Sequence, residues 1–208
     1  MKPEESKRLV LLTGPPRIGK TTVLLNAAEE LGARGYRLAG MISQEIREGD
    51  VRVGFEIRDY ETGGQGWLAH IRQYGGPRIG KYRVNLNDLN SVGVASILNA
   101  LEDADIVLID EIGPMELFSN TFKEAVLKVV ESSKPLLGTI HYRVKHSLVN
   151  KIKSRKDAHI IEVTQKNRNQ IPTLIANEII CFITMRKLSY PKKGYEKKRY
   201  SLERSKSP

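Results

Sequence analysis

A single cysteine, Cys181, leaves no partner for an internal disulfide, a usage that fits a reducing compartment. No run of about 18 apolar residues occurs, so no membrane span is expected. The charged opening, MKPEESKR, lacks the apolar stretch of a secretion signal. Together these absences point to a cytoplasmic location. No internal repeat is present. What remains is a chain of 208 residues, long enough for one sizeable core, with 40% hydrophobic and 28% charged residues, ordinary for a globular protein.

The net charge of +10 is unevenly spread. From Thr184 onward nine Lys and Arg face only Glu196 and Glu203, so this stretch carries +7 and the first 183 residues +3. The segment RKLSYPKKGYEKKRYSLERSKSP has few aliphatics, no period, and Pro and Gly that break helices. Residues 184–208 are therefore expected to form a basic, disordered tail. Such a tail is either merely solvated or a site for RNA or another polyanion, with Tyr190, Tyr195 and Tyr200 available for stacking.

Residues 1–183 alternate apolar runs with helical patterns and are expected to form one domain. Arg8–Thr13 predicts a buried strand. Lys20–Leu31 predicts a helix that stops at Gly32. Tyr36–Ile46 and Val51–Arg58 predict a hairpin around Glu48-Gly49-Asp50. The glycine-rich stretch 62–80 is hard to place beyond a short strand at Trp67–His70. Strands are then expected at Lys81–Leu86, Ile106–Ile109, Leu136–Ile140 and His159–Val163. Helices are expected at Asn87–Leu101, Asn120–Ser132, Val144–Ile152 and Asn169–Phe182. This alternation predicts an α/β fold of parallel βαβ units with helices on both faces. Residues 36–86 break the rhythm and read as antiparallel strands added to a mostly parallel sheet.

The stretch GPPRIGKTT follows the first strand and opens the first helix. Gly14, Gly19, Lys20 and Thr21 satisfy G-x-x-x-x-G-K-[ST] in the context this phosphate-binding loop requires. The two glycines allow torsions strained for other residues, so backbone N–H groups can converge on phosphate at a helix N-terminus. Gly14, Pro15, Pro16, Arg17, Ile18, Gly19, Lys20, Thr21 and Thr22 are the candidate nucleotide-binding residues. Lys20 is expected at the β- and γ-phosphates, and Thr21 on Mg²⁺. The prolines donate no N–H but stiffen the loop. Arg17 either adds charge at the γ-phosphate or points to solvent.

A second element bears on the reaction. The run DIVLIDEIGPMEL is an apolar strand ending in Asp110-Glu111. Asp110 suits a Mg²⁺ ligand, Glu111 a general base for water. The bland alternative is an acid that caps the next helix. Asp110-Glu111-Ile112-Gly113 also fits the D-x-x-G of small GTPases. Their guanine-reading N-K-x-D is missing, because Asn150-Lys151-Ile152-Lys153 lacks the acid, so a guanine-specific switch is disfavoured. Thr139, His141 and Arg143, at the end of the strand PLLGTIHYR, are candidates to sense the γ-phosphate or merely finish the strand. Arg72, Arg78, Lys81 and Arg83 are candidate finger or lid residues or a solvated face. Trp67 and Tyr82 are candidates to stack on a base or pack under the added strands.

GPPRIGKTT, GFEIRD, IGKYRVNL, DEIGPMELFS and GTIHYR, in this order, resemble the THEP-type nucleoside-triphosphatase family, called cancer-related nucleoside-triphosphatase in animals. The resemblance covers roughly residues 8–182. It implies a RecA-like P-loop domain, a three-layer sandwich that hydrolyses ATP, GTP, CTP and UTP to diphosphate and phosphate with Mg²⁺. Members usually carry a glycine where Arg17 stands, and the basic tail lies outside the resemblance. Two rivals differ in class. A kinase needs an acceptor pocket and a residue activating the acceptor's hydroxyl, and the sequence identifies neither. A nucleic-acid-dependent ATPase would couple hydrolysis to the tail.

Overall fold

The computed structural model describes residues 7–189, and most of the expected basic tail lies outside them. Strand β1 (Leu9–Thr13) is buried along its whole length. Helix α1 (Lys20–Ala33) lays Val23, Leu24, Ala27, Ala28 and Leu31 on the sheet, at the spacing of one helical face. Two long strands, β2 (Leu38–Glu48) and β3 (Val51–Asp59), form the expected hairpin. Then come β4 (Gln65–His70), β5 (Arg78–Ile79), β6 (Tyr82–Val84), α2 (Leu86–Asp88) and α3 (Ala95–Asp103). The second half runs β7 (Ile106–Ile112), α4 (Asn120–Glu131), β8 (Leu136–Ile140), α5 (Ser147–Lys153), β9 (Ala158–Glu162) and α6 (Ile171–Ser189).

The nine strands of the described residues join one sheet in the order β5-β6-β4-β3-β2-β7-β8-β1-β9. Neighbours from β2 to β9 pair in parallel, and those from β2 to β5 antiparallel. β2 serves both halves. Leu38–Met41 pair with β7, whereas Met41–Glu48 pair with β3. Alternation along β1 divides the core. Leu9 and Leu11 face a cluster built with α3, α4 and α5, while Val10 and Leu12 face one built with α1 and α6. Helices thus cover both faces, and the expected mostly parallel, three-layer α/β architecture with an antiparallel extension is observed. β8 stands between β1 and β7.

Several boundaries differ from the expectation. In the stretch 62–80, Gly63, Gly75, Gly76 and Gly80 all take positive φ and make turns between strands of six, two and three residues. Strands this short show little period. The helix expected at Asn87–Leu101 is broken by a π-helical turn at Leu89–Val94, where Gly93 sits against Met41. Helix α6 continues past residue 183 into the stretch assigned to the tail, and Arg186 donates to the Ser133 carbonyl at 2.7 Å. No helix among the described residues is long and apolar enough to cross a membrane.

Candidate active site

The loop between β1 and α1 has the torsions its composition promises. Gly14 and Gly19 have φ of 143° and 102°. A Cβ on Gly14 would come within 2.9 Å of the Val163 carbonyl oxygen, so the strand end accepts no other residue without shifting. Arg17 also has a positive φ, 64°. That conformation accounts for a glycine at this position in the resembling family. Helix α1 begins at Lys20 with no side chain capping its N-terminus. By contrast α4 is capped by Ser119 and α5 by His146. The first-turn N–H groups of α1 are therefore left for an anion. Lys20 folds back over the loop, its Nζ 3.4 Å from the Gly14 carbonyl.

Strand β7 brings the acids to this loop. Its pairing with β8 slips between Ile109 and Ile112, one residue more than its partner, so Asp110 and Glu111 occupy a bulge. Asp110 is buried and accepts from Thr21 Oγ1 at 2.8 Å and from Thr139 Oγ1 at 2.5 Å. Burial pushes the Asp110 carboxyl up to about 6, opposed by these two hydroxyl bonds. Burial also raises Glu111, opposed by Lys20. Oε1 of Glu111 is buried and lacks a hydrogen-bond partner among the described residues.

A cleft of about 640 Å³ opens above these groups. Gly14, Pro15, Pro16, Arg17, Gly19, Lys20 and Thr21 form its floor, and Glu111, His141 and Arg143 one side. Ile18 and Thr22 lie outside this lining. Ile18 packs on the α1–α6 core and Thr22 is exposed. Thr139 is also outside it, because it is fully buried and its hydroxyl is spent on Asp110. It supports Asp110 and does not line the cleft. His141 does face the cleft. Its Nδ1 accepts from the backbone N–H of Arg143 and Val144, at 3.2 and 3.0 Å. Burial, Lys20 and Lys153 lower its pKa, so the ring is neutral with its proton on Nε2, a donor and not a base.

The opposite wall was not anticipated. Ser43, Glu45, Arg52, Phe55, Leu68 and Ile79 bring the antiparallel extension to the cleft. Arg52 lies 5.0 Å from the Phe55 ring centroid and donates to Tyr82 Oη at 2.8 Å and Glu45 Oε2 at 2.9 Å. Period-two alternation along β3 could have put Val51, Val53, Phe55 and Ile57 on one side, but it could not show that the extension shares a cleft with the phosphate loop. Arg72, Arg78, Lys81 and Arg83 do not line the cleft. Arg72 pairs with Glu48, and Arg78 and Arg83 bond loop carbonyls. Trp67 packs on His70 and Tyr82 is buried, and neither lines the cleft. Glu116, also missed, is buried at the cleft margin.

The chain matches the family model described as NTPase over residues 9–176. It is 48% identical to the nucleoside-triphosphatase THEP1 of Thermofilum pendens over 174 residues, 83% of this chain and 96% of the relative. The crystal structure of THEP1 from the hyperthermophile Aquifex aeolicus superposes with a TM-score of 0.74 at 29% identity, covering 82% of this chain and 98% of that one. The solution structure of a human cancer-related nucleoside triphosphatase gives 0.70 at 34% identity, covering 82% and 96%.

Proposed function

The chain belongs to the THEP1 nucleoside-triphosphatase family, and on that premise we propose that it cleaves ATP, GTP, CTP and UTP to the diphosphate and phosphate with Mg²⁺. One observation carries this reading. Glu111, a half-buried carboxylate with a raised pKa, lines the same cleft as Lys20 and adjoins the Asp110–Thr21 pair. A base tuned toward neutrality beside a phosphate site suits an attacking water.

The residues present fit Mg²⁺. Thr21 and Asp110 supply hard oxygen atoms 2.8 Å apart, and the buried Asp110 carboxylate has no salt-bridge partner among the described residues. No cluster of three or more His, Cys, Asp or Glu among the described residues forms a cage for a metal. That suits an ion held by one or two protein oxygens and by the phosphates themselves. When bound, the ion neutralises charge on the β- and γ-phosphate oxygens. The chain's own groups do the rest. Loop amides and Lys20 hold the phosphates, Thr139 orients Asp110, and Glu111 takes the proton of the attacking water. Nε2–H of His141 and the Arg143 guanidinium donate toward the γ-phosphate as its charge grows.

The test is an NTP panel with Mg²⁺, run with Glu111→Gln beside the parent. General-base loss should slow turnover about 10²–10⁴-fold and leave nucleotide binding intact. Phosphate released without any added acceptor separates hydrolysis from a kinase, and stimulation by RNA that falls with salt would favour the nucleic-acid-dependent alternative. Turnover of Glu111→Gln at nearly the parental rate would sink the assignment of the base. Hydrolysis of GTP with ATP inert would sink the broad base tolerance.

A further inference from the structure

The turn after β7 carries a second acid that the hydrolysis reading leaves unused. Glu116 is 4% exposed, yet it has no salt bridge among the described residues. Its own N–H and that of Gly113 bond its carboxyl. Nearby, Glu111 Oε1 is also buried and has no partner. The two acids converge over one residue. A Cβ built on Gly113 would stand 3.0 Å from Glu116 Oε2 and 3.3 Å from Glu111 Oε1. The carboxyls therefore share the space above Gly113, at the margin of the nucleotide cleft.

Two carboxylates so placed would repel in a medium of low dielectric, and leaving a buried oxygen unpaired is costly. One arrangement removes both penalties. We propose that Glu116 acts as a positioning residue: its buried carboxylic acid donates a hydrogen bond to Oε1 of Glu111, directly or through one water, and so aims the free oxygen of Glu111 at the attacking water. The electrostatics agree. Burial, then the charge of Glu111, pushes the Glu116 carboxyl up to about 8, so it holds its proton at neutral pH and has one to donate. Asp110 raises it further.

This inference rests on Glu111 being the base, and the experiment separates the two ideas. Glu116→Gln keeps the size and an N–H donor, whereas Glu116→Met keeps the bulk and removes the donor. Both are made in the parent and in the Glu111→Gln background. Nucleotide affinity and melting temperature report folding, and single-turnover hydrolysis reports chemistry. Misalignment of the base should cost Glu116→Met about 10- to 100-fold in kcat, with KM nearly unchanged. Glu116→Gln should stay within a few-fold of the parent, and in the Glu111→Gln background neither change should slow hydrolysis further. Equal losses in both backgrounds would make Glu116 a structural residue and overturn the proposal, as would full activity of Glu116→Met. If Glu111→Gln itself remains active, the reading of the base falls and this inference falls with it. If Glu111→Gln is inactive and Glu116→Met is unimpaired, only this inference falls.

Discussion

Arg17 is the only described non-glycine residue with a positive φ, and it stands where the resembling family carries glycine. A left-handed residue of this kind costs about 1–2 kcal/mol. Arg17→Gly should therefore raise stability by up to about 1 kcal/mol, the gain being trimmed by the entropy glycine adds to the unfolded chain. Chemical denaturation measures it, and a less stable glycine variant would show that the arginine side chain supplies compensating contacts. Glu116 gives a pH-dependent prediction. Its carboxyl is raised from 4.5 to about 8, so the folded state binds more protons than the unfolded chain between those values. Stability from this group is full below about pH 4.5 and is lost as pH rises to about 8. Between pH 5 and 8.5 the melting temperature of the parent should fall relative to that of Glu116→Gln. Parallel melting curves across that range would refute the raised carboxyl. Lys20 gives the simplest case, because Lys20→Ala should abolish tight nucleotide binding while the protein remains folded.

At the scale of elements, the antiparallel extension acts as a wall of the site as well as an edge of the sheet. Arg52 ties β3 to β2 through Glu45 and to β6 through Tyr82, and it stacks on Phe55 within its own strand. Removing one partly buried guanidinium with two hydrogen bonds should cost about 1–3 kcal/mol. Arg52→Ala should speed amide exchange in β3, β4 and β6 and leave β1 and β8 protected. Uniform loss of protection would mean that the extension and the parallel sheet open as one unit. This element also marks where sequence reading reached its end. The hairpin was legible because β2 and β3 are long and punctuated by Gly49. β5 was not, since two residues carry no period, whereas β6 falls within the strand expected at Lys81–Leu86. The phosphate loop, Asp110 and Glu111 were legible because local spacing dictates their chemistry. Glu116, Arg52 and the true partner of Thr139 were hidden, because each depends on which distant strand end meets the bulge in β7.

For the molecule as a whole, the nucleotide site joins pieces from across the sheet: the loop after β1, the bulge in β7, the end of β8 and the extension. A ligand that binds only when these pieces are assembled stabilises all of them together. Mg²⁺ and ATP at 100 times the dissociation constant should add about 2.7 kcal/mol. The melting temperature should climb with nucleotide concentration in the parent and stay flat in Lys20→Ala. A shift of equal size in both would place the nucleotide elsewhere.

The position of β1 has one more consequence, for the order in which the chain becomes itself. β1 leaves the ribosome long before either strand that flanks it: Leu9 pairs with Leu136 on one side and Ala158 on the other. At 5–20 residues per second, the entirely apolar run LVLL waits roughly 6–25 seconds before its first neighbour is even synthesised. The helix carrying the phosphate loop's lysine waits with it. Until β8 emerges, the chain holds a catalytic motif with no sheet to display it and a sticky segment with nothing to cover it. Birth of the protein, more than its mature life, is when this strand is exposed to chaperones and to aggregation.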